Sequence, residues 1–131
     1  GSTCSKCDSI IVPIIVPPTF YKDMSNAFLS SVWHKAEQTL SSVSHILISG
    51  YSFPDADMHI KYLLKRIQTN RTTPVSFTVF NCYPGKHEDE IEAEKERFYR
   101  FLGPAVNYTD KSFEQFAENP MEYFPNRRTG T

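Results

Sequence analysis

Apolar residues recur at spacings of three and four from Asn26 to about Ser44. Phe28, Leu29, Val32, Trp33, Ala36, Leu40 and Val43 fall on one face of a helix, with Ser25 placed to cap it. The pattern then changes. Ile46-Leu47-Ile48 is a short apolar run without polar alternation, bounded by Gly50, which predicts a strand covered on both faces as in a parallel sheet. Helical spacing returns from about Asp55 to Thr69, with Ala56, Ile60, Leu63, Leu64 and Ile67 inward and Lys61, Lys65 and Arg66 outward. Pro54 and Asp55 suit its first turn. After the polar linker TNRTTP, Val75 to Phe80 reads as a second strand. Strand, helix, strand is a βαβ unit, whose crossover is right-handed in nearly all proteins.

The flanks are less regular. Residues 1–25 hold Pro13, Pro17 and Pro18, which remove backbone donors and disfavour helix, so extended irregular chain is expected there. CYPGKHEDE reads as a loop, EIEAEKERFYRFLG as an amphipathic helix ending at Gly103, and DKSFEQFAEN as a short helix holding Phe113 and Phe116. The acidic run EDEIEAEKE reads as a solvated helix face, its carboxylates spaced for Lys95 and Arg97. Phe98, Phe101, Phe113, Phe116, Tyr123 and Phe124 resemble a base-stacking platform in composition, but their helical spacing favours core packing. The division is an irregular segment 1–25, an α/β core 26–124 and a polar tail 125–131.

Composition narrows the classes. The chain has 131 residues, 40% hydrophobic and 22% charged, as expected of one globular domain. Its 14 basic and 15 acidic residues nearly cancel, so charge gives no support to nucleic-acid or anionic-membrane binding. The longest apolar run, Ile10 to Val16, is interrupted by Pro13 and is far short of the roughly 20 residues of a membrane helix. No basic segment followed by an apolar run marks a secretory signal, and the three cysteines point to a reducing cytoplasm.

Candidate chemistry gathers after the first strand. In open α/β sheets ligands sit beyond the carboxyl ends of the strands, where helix N-termini aim donors outward. HILISGYSFPDAD, residues 45–57, occupies such a place. Gly50 permits a sharp turn or a close approach, Ser52 offers a hydroxyl and an amide, and Asn81 ends the next strand. Each has an ordinary use too: Gly50 as a turn residue, Ser52 as a cap, Asp55 as a partner of the helix dipole. Spacing alone favours those uses, and neither GxGxxG nor GxxxxGK[ST] occurs.

Taken in order, Cys4-x-x-Cys7, IIVPPTFYK, VWHKAEQTLSSVSHILISGYSFPDAD and VSFTVFN resemble the C-terminal half of sirtuin-like domains, particularly their bacterial branch. The resemblance covers about residues 4 to 82. It implies a Rossmann-like α/β fold with a short, mainly parallel sheet, here an incomplete half of a larger domain. It implies NAD as the ligand, with Gly50, Tyr51 and Ser52 standing where sirtuins have Gly-Thr-Ser and Asn81 where an Asn contacts the adenosine side. The intact family consumes NAD, by lysine deacylation or by outright hydrolysis. The family's glycine-rich loop and catalytic His have no counterpart here, so this chain alone is expected to be inactive. His34, His45, His59 and His87 read as surface or satisfied residues.

Cys4 and Cys7 have the spacing of half a structural zinc site. Such sites want four ligands, and Cys82 is the only other cysteine. The alternative for the pair is an exposed dithiol without metal. A severed half-domain also exposes a sheet edge, which predicts a homodimer or pairing with the upstream half of the same protein. The rival to the NAD reading is a non-catalytic Rossmann-like interaction or oligomerisation module.

Overall fold

The computed structural model of the chain describes residues 2–11 and 26–123. Expectations for the PPTFYK stretch, Ser25, Phe124 and the 125–131 tail lie outside the described residues. The elements are strands β1 (Ser2–Thr3) and β2 (Ile10–Ile11), helix α1 (Ala27–Ser41), strand β3 (His45–Ser49), helix α2 (Met58–Thr69), strand β4 (Ser76–Phe80), helix α3 (Glu88–Leu102), strand β5 (Val106–Tyr108) and helix α4 (Phe113–Glu118). β1 and β2 form a small antiparallel hairpin, while β3, β4 and β5 form a three-stranded parallel sheet in chain order. The fold is α/β, a short parallel sheet flanked by helices in the manner of a Rossmann-like half-fold.

Alternation along β4 divides its side chains between two layers. Phe77 and Val79 are fully buried and pack with Leu63, Leu64 and Ile67 of α2 and Phe98 and Leu102 of α3. Phe80, on the opposite face, stacks on Phe116 of α4 at 4.4 Å between centroids and meets Tyr123 edge-on at 5.1 Å. The aromatic residues of the last third therefore serve as core and cover, although Phe113 itself is exposed. No helix among the described residues is long and apolar enough to cross a membrane.

Several boundaries differ from the sequence reading for physical reasons. Asn26 caps α1, its side-chain oxygen accepting from the amides of Phe28 at 2.9 Å and Leu29 at 3.3 Å. The helix buries no residue fully, and Phe28 and Val32 of its apolar stripe are exposed. Ile46, Leu47 and Ile48 are only half-buried, because β3 pairs on one side alone among the described residues. α2 begins at Met58 rather than Asp55, since residues 54–57 make a turn closed by the Asp57 amide on the Pro54 carbonyl at 3.1 Å. Lys61, expected outside, is 6% exposed: its ammonium lies 4.9 Å from the Phe53 ring centroid and pairs with Asp55 at 2.8 Å. The pairing holds the Asp55 carboxyl below its usual range. β5 lies in a stretch the sequence left unassigned, three residues long and preceded by Pro104.

Candidate functional site

The loop after β3 is shaped by two residues at positive φ. Gly50 stands at +67°, and a Cβ there would have no heavy atom within 4 Å, so the backbone turn rather than crowding requires glycine. Phe53 stands at +56°, unusual for a bulky side chain, yet it is fully buried. Its ring stacks on Phe98 at 4.6 Å and 10°, and Tyr51 and Phe101 meet it edge-on. A backbone strain of about 1–3 kcal/mol is offset by burial of a large side chain, worth about 1.5–3 kcal/mol, and by stacking of about 0.5–1.5 kcal/mol. At this turn Gly50 and Ser52 are exposed, while Tyr51 is half-buried against Phe53.

Asn81, just past β4, is the bracket for that loop. Its side-chain oxygen accepts from the Tyr51 amide at 3.4 Å, and its nitrogen donates to the Tyr51 carbonyl and to Glu94 Oε2 at 3.2 Å. It is only 7% exposed, so it shapes the wall more than it presents a free amide. The structure thus brings Gly50, Tyr51, Ser52 and Asn81 together on one cleft of about 540 Å³, beyond the carboxyl ends of β3 and β4. Lys86, Glu90, Glu94 and Arg97 complete its charged lining. Arg97 donates from Nε to the Ser52 carbonyl at 3.1 Å, tying α3 to the loop.

Glu94 is the electrostatic centre of this wall. Its Oε2 accepts from Asn81, from Lys86 Nζ at 2.8 Å and from the Tyr108 hydroxyl. Lys86 also donates to the Asn81 carbonyl at 3.1 Å. The Glu94 and Lys86 side chains are 6% and 8% exposed, so this is a buried, hydrogen-bonded ion pair. Glu94 Oε1 has no partner among the described residues, yet it is not among their sealed, unsatisfied atoms, so it keeps contact with the cleft. Burial first, then Glu94, pushes the Tyr108 hydroxyl far above its ordinary pKa. Tyr51 is raised in the same way by burial and by Asp57, which accepts from its hydroxyl at 2.8 Å. Both remain phenols that donate.

A second cleft of about 570 Å³ lies beyond the ends of β4 and β5, with Cys82, Ile91, Tyr108, Thr109 and Ser112 in its lining. The Cys82 thiol donates to the Thr109 carbonyl at 3.3 Å and is pushed up by burial, which makes it a poor nucleophile. Tyr83, 58% exposed, lines both clefts.

The cysteine pair sits elsewhere, in the tight turn of the β1–β2 hairpin rather than in irregular chain. The turn is closed by the Cys4 amide on the Ser9 carbonyl at 2.9 Å and by the Asp8 amide on the Cys4 carbonyl at 3.0 Å. The Ser9 hydroxyl, foremost, holds the exposed Cys7 thiol below its usual range. Among the described residues no third His, Cys, Asp or Glu joins the pair, and two thiols are two of the four ligands of a tetrahedral zinc shell. None of the four histidines lines the cleft of Gly50 and Ser52. His45 is held between the Ser76 hydroxyl at 2.7 Å and the Thr78 hydroxyl at 2.8 Å, His59 packs on Trp33 at 6.0 Å, and His34 and His87 are exposed.

Sequence reasoning missed Glu94 by assigning the whole acidic run to solvent. Glu88, Asp89 and Glu90 do stand in the first turn of α3, where the helix dipole favours them, and Glu92 and Glu96 pair outside with Lys95 and Arg100. Position 94, however, lies on the inward stripe of half-buried Ile91 and buried Phe98 and Leu102. A carboxylate on an apolar stripe was the available signal. No protein-family model, curated protein or solved structure matches the chain.

Proposed function

We propose that this chain forms one wall of a site for NAD or a related adenine nucleotide, as the C-terminal part of a sirtuin-like domain. In its intact form such a domain consumes NAD, by hydrolysis or by lysine deacylation. One observation carries the reading: the Gly50–Ser52 turn, Arg97 and Glu94 converge on a cleft beyond the carboxyl ends of parallel strands. That is where α/β sheets take phosphorylated ligands. Each group has a role in it. The turn offers backbone donors and the Ser52 hydroxyl, Arg97 offers positive charge for a phosphate, and Glu94 Oε1 accepts from a hydroxyl. The reading is one of binding by this chain.

Calorimetric titration with NAD and ADP-ribose tests it. Weak, saturable heat is expected, and Ser52→Trp, which fills the cleft from an exposed position, should abolish it without loss of fold. Asn81→Ala should remove the heat together with part of the stability, because the loop loses its bracket. Absence of heat at millimolar ligand rejects nucleotide binding by this chain.

A second reading rests on a separate observation. Among the described residues β3 pairs on one side only, and Phe28 and Val32 on α1 are exposed. An open edge and an apolar stripe suit an interaction module that forms a homodimer or docks on the upstream half of the same protein. A concentration-dependent dimer by light scattering, weakened by Val32→Glu, with no nucleotide heat, would favour it.

A further inference from the structure

We propose that Tyr83 is the stacking platform for the base of the nucleotide, and that it makes the site selective for a neutral purine over a pyridinium ring. The inference rests on the reading that the cleft takes a nucleotide and adds what recognises the base. Among the described residues Tyr83 is the one shared by the linings of the two clefts, so a ligand extending from the Gly50–Ser52 turn toward β5 passes its ring. It lies in the loop past β4 and is 58% exposed, so its ring is open to a ligand. Its hydroxyl has no hydrogen-bond partner among the described residues. Two contacts fix the residue: its carbonyl accepts from the Lys86 amide at 3.2 Å, and the Lys86 ammonium lies 5.5 Å from its ring centroid.

The ammonium is itself held by Glu94 and by the Asn81 carbonyl, so the ring is oriented by the same buried network that forms the wall. A cation over one face draws the ring's π-electrons toward it. The other face is then electron-poor and suits an electron-rich base better than a cationic pyridinium. Of the other aromatic residues, Phe98 is fully buried and Phe80, Phe116 and Tyr123 pack on one another, while Tyr99 and Phe113, though exposed, line neither cleft.

Calorimetry or competition binding on the full chain, with ADP-ribose and nicotinamide mononucleotide as probes, tests the assignment. Tyr83→Leu should weaken ADP-ribose about tenfold or more, the loss typical of one base–aromatic stack. Tyr83→Phe should bind within about twofold of the wild type, since the hydroxyl has no partner. Nicotinamide mononucleotide should bind more weakly than ADP-ribose and be indifferent to Tyr83→Leu. Unchanged melting of both variants keeps a folding defect from imitating the result. Tyr83→Leu binding ADP-ribose as the wild type does, or nicotinamide mononucleotide being the probe it weakens, overturns the assignment and leaves nucleotide binding standing. Failure of the wild type to bind either probe overturns both.

Discussion

Removing the Glu94 carboxylate is the most informative perturbation of the wall. In Glu94→Ala the Lys86 ammonium stays in a position where its side chain is 8% exposed and loses its one anionic partner among the described residues. The Tyr108 hydroxyl and the Asn81 amide lose their shared acceptor at the same time. Breaking a buried pair from one side costs about 3–5 kcal/mol, because an uncompensated charge is left inside. At a urea m-value of about 2 kcal/mol per molar, that lowers the unfolding midpoint by about 2 M. Trp33, the single tryptophan, packs against the core and provides a fluorescence signal to be read beside far-ultraviolet circular dichroism. The companion double variant Glu94→Leu with Lys86→Met removes both charges and should recover most of the loss, since an apolar pair of similar volume is often neutral in such a place. A Glu94→Ala loss below about 1 kcal/mol, or a double variant as unstable as the sum of its singles, refutes the reasoning.

Phe53→Ala should cost about 3–5 kcal/mol by denaturant unfolding, because it empties a fully buried site stacked on Phe98; a cost near zero would mean that the loop does not depend on this anchor. His45 has its pKa lowered by burial, so the folded state favours the neutral ring. The stability this contributes is fully present above the unfolded value near 6.5 and is lost as pH falls through the depressed folded value, and His45→Gln should flatten the profile between pH 7 and 5. Equal slopes in the two proteins would contradict it. Asn26→Ala removes the acceptor for the Phe28 and Leu29 amides and should cost about 1 kcal/mol, whereas Asn26→Ser should restore most of it in thermal melts.

What the sequence disclosed followed from periodicity strong enough to survive tertiary context. Helical spacing in residues 55–69 and 90–102, the β-rich run ending at Phe80 and the stop at Gly103 all correspond to observed elements, although α3 starts earlier, at Glu88. Periodicity failed where packing chose among equivalent local options. The start of α2 moved because Phe53 enters the core and draws the following residues into a turn, and Lys61 turned inward because that ring offered its face. β5 was invisible because three residues carry too little pattern, and the parallel partner that stabilises it, β4, is nearly thirty residues earlier in the chain. At the candidate site, Gly50, Tyr51, Ser52 and Asn81 converge as strand order suggested, since consecutive parallel strands end on the same side. Glu94, Lys86 and Tyr108 were hidden because an ion pair closed across a loop and two elements leaves no fixed spacing in the chain.

The anchoring of the loop at Phe53 determines when that loop can move. Surface turns ordinarily open by local fluctuations, so their amides exchange with solvent far faster than those of the core. Here residue 53 is inserted among Phe98, Phe101 and Tyr51 while Asn81 holds the backbone at residue 51. Residues 50–53 are therefore joined to the cooperative unit of α2, α3 and β4, and the Tyr51 amide, which donates to Asn81, should exchange at rates close to those of global opening. A cleft of this kind cannot soften without the core softening with it.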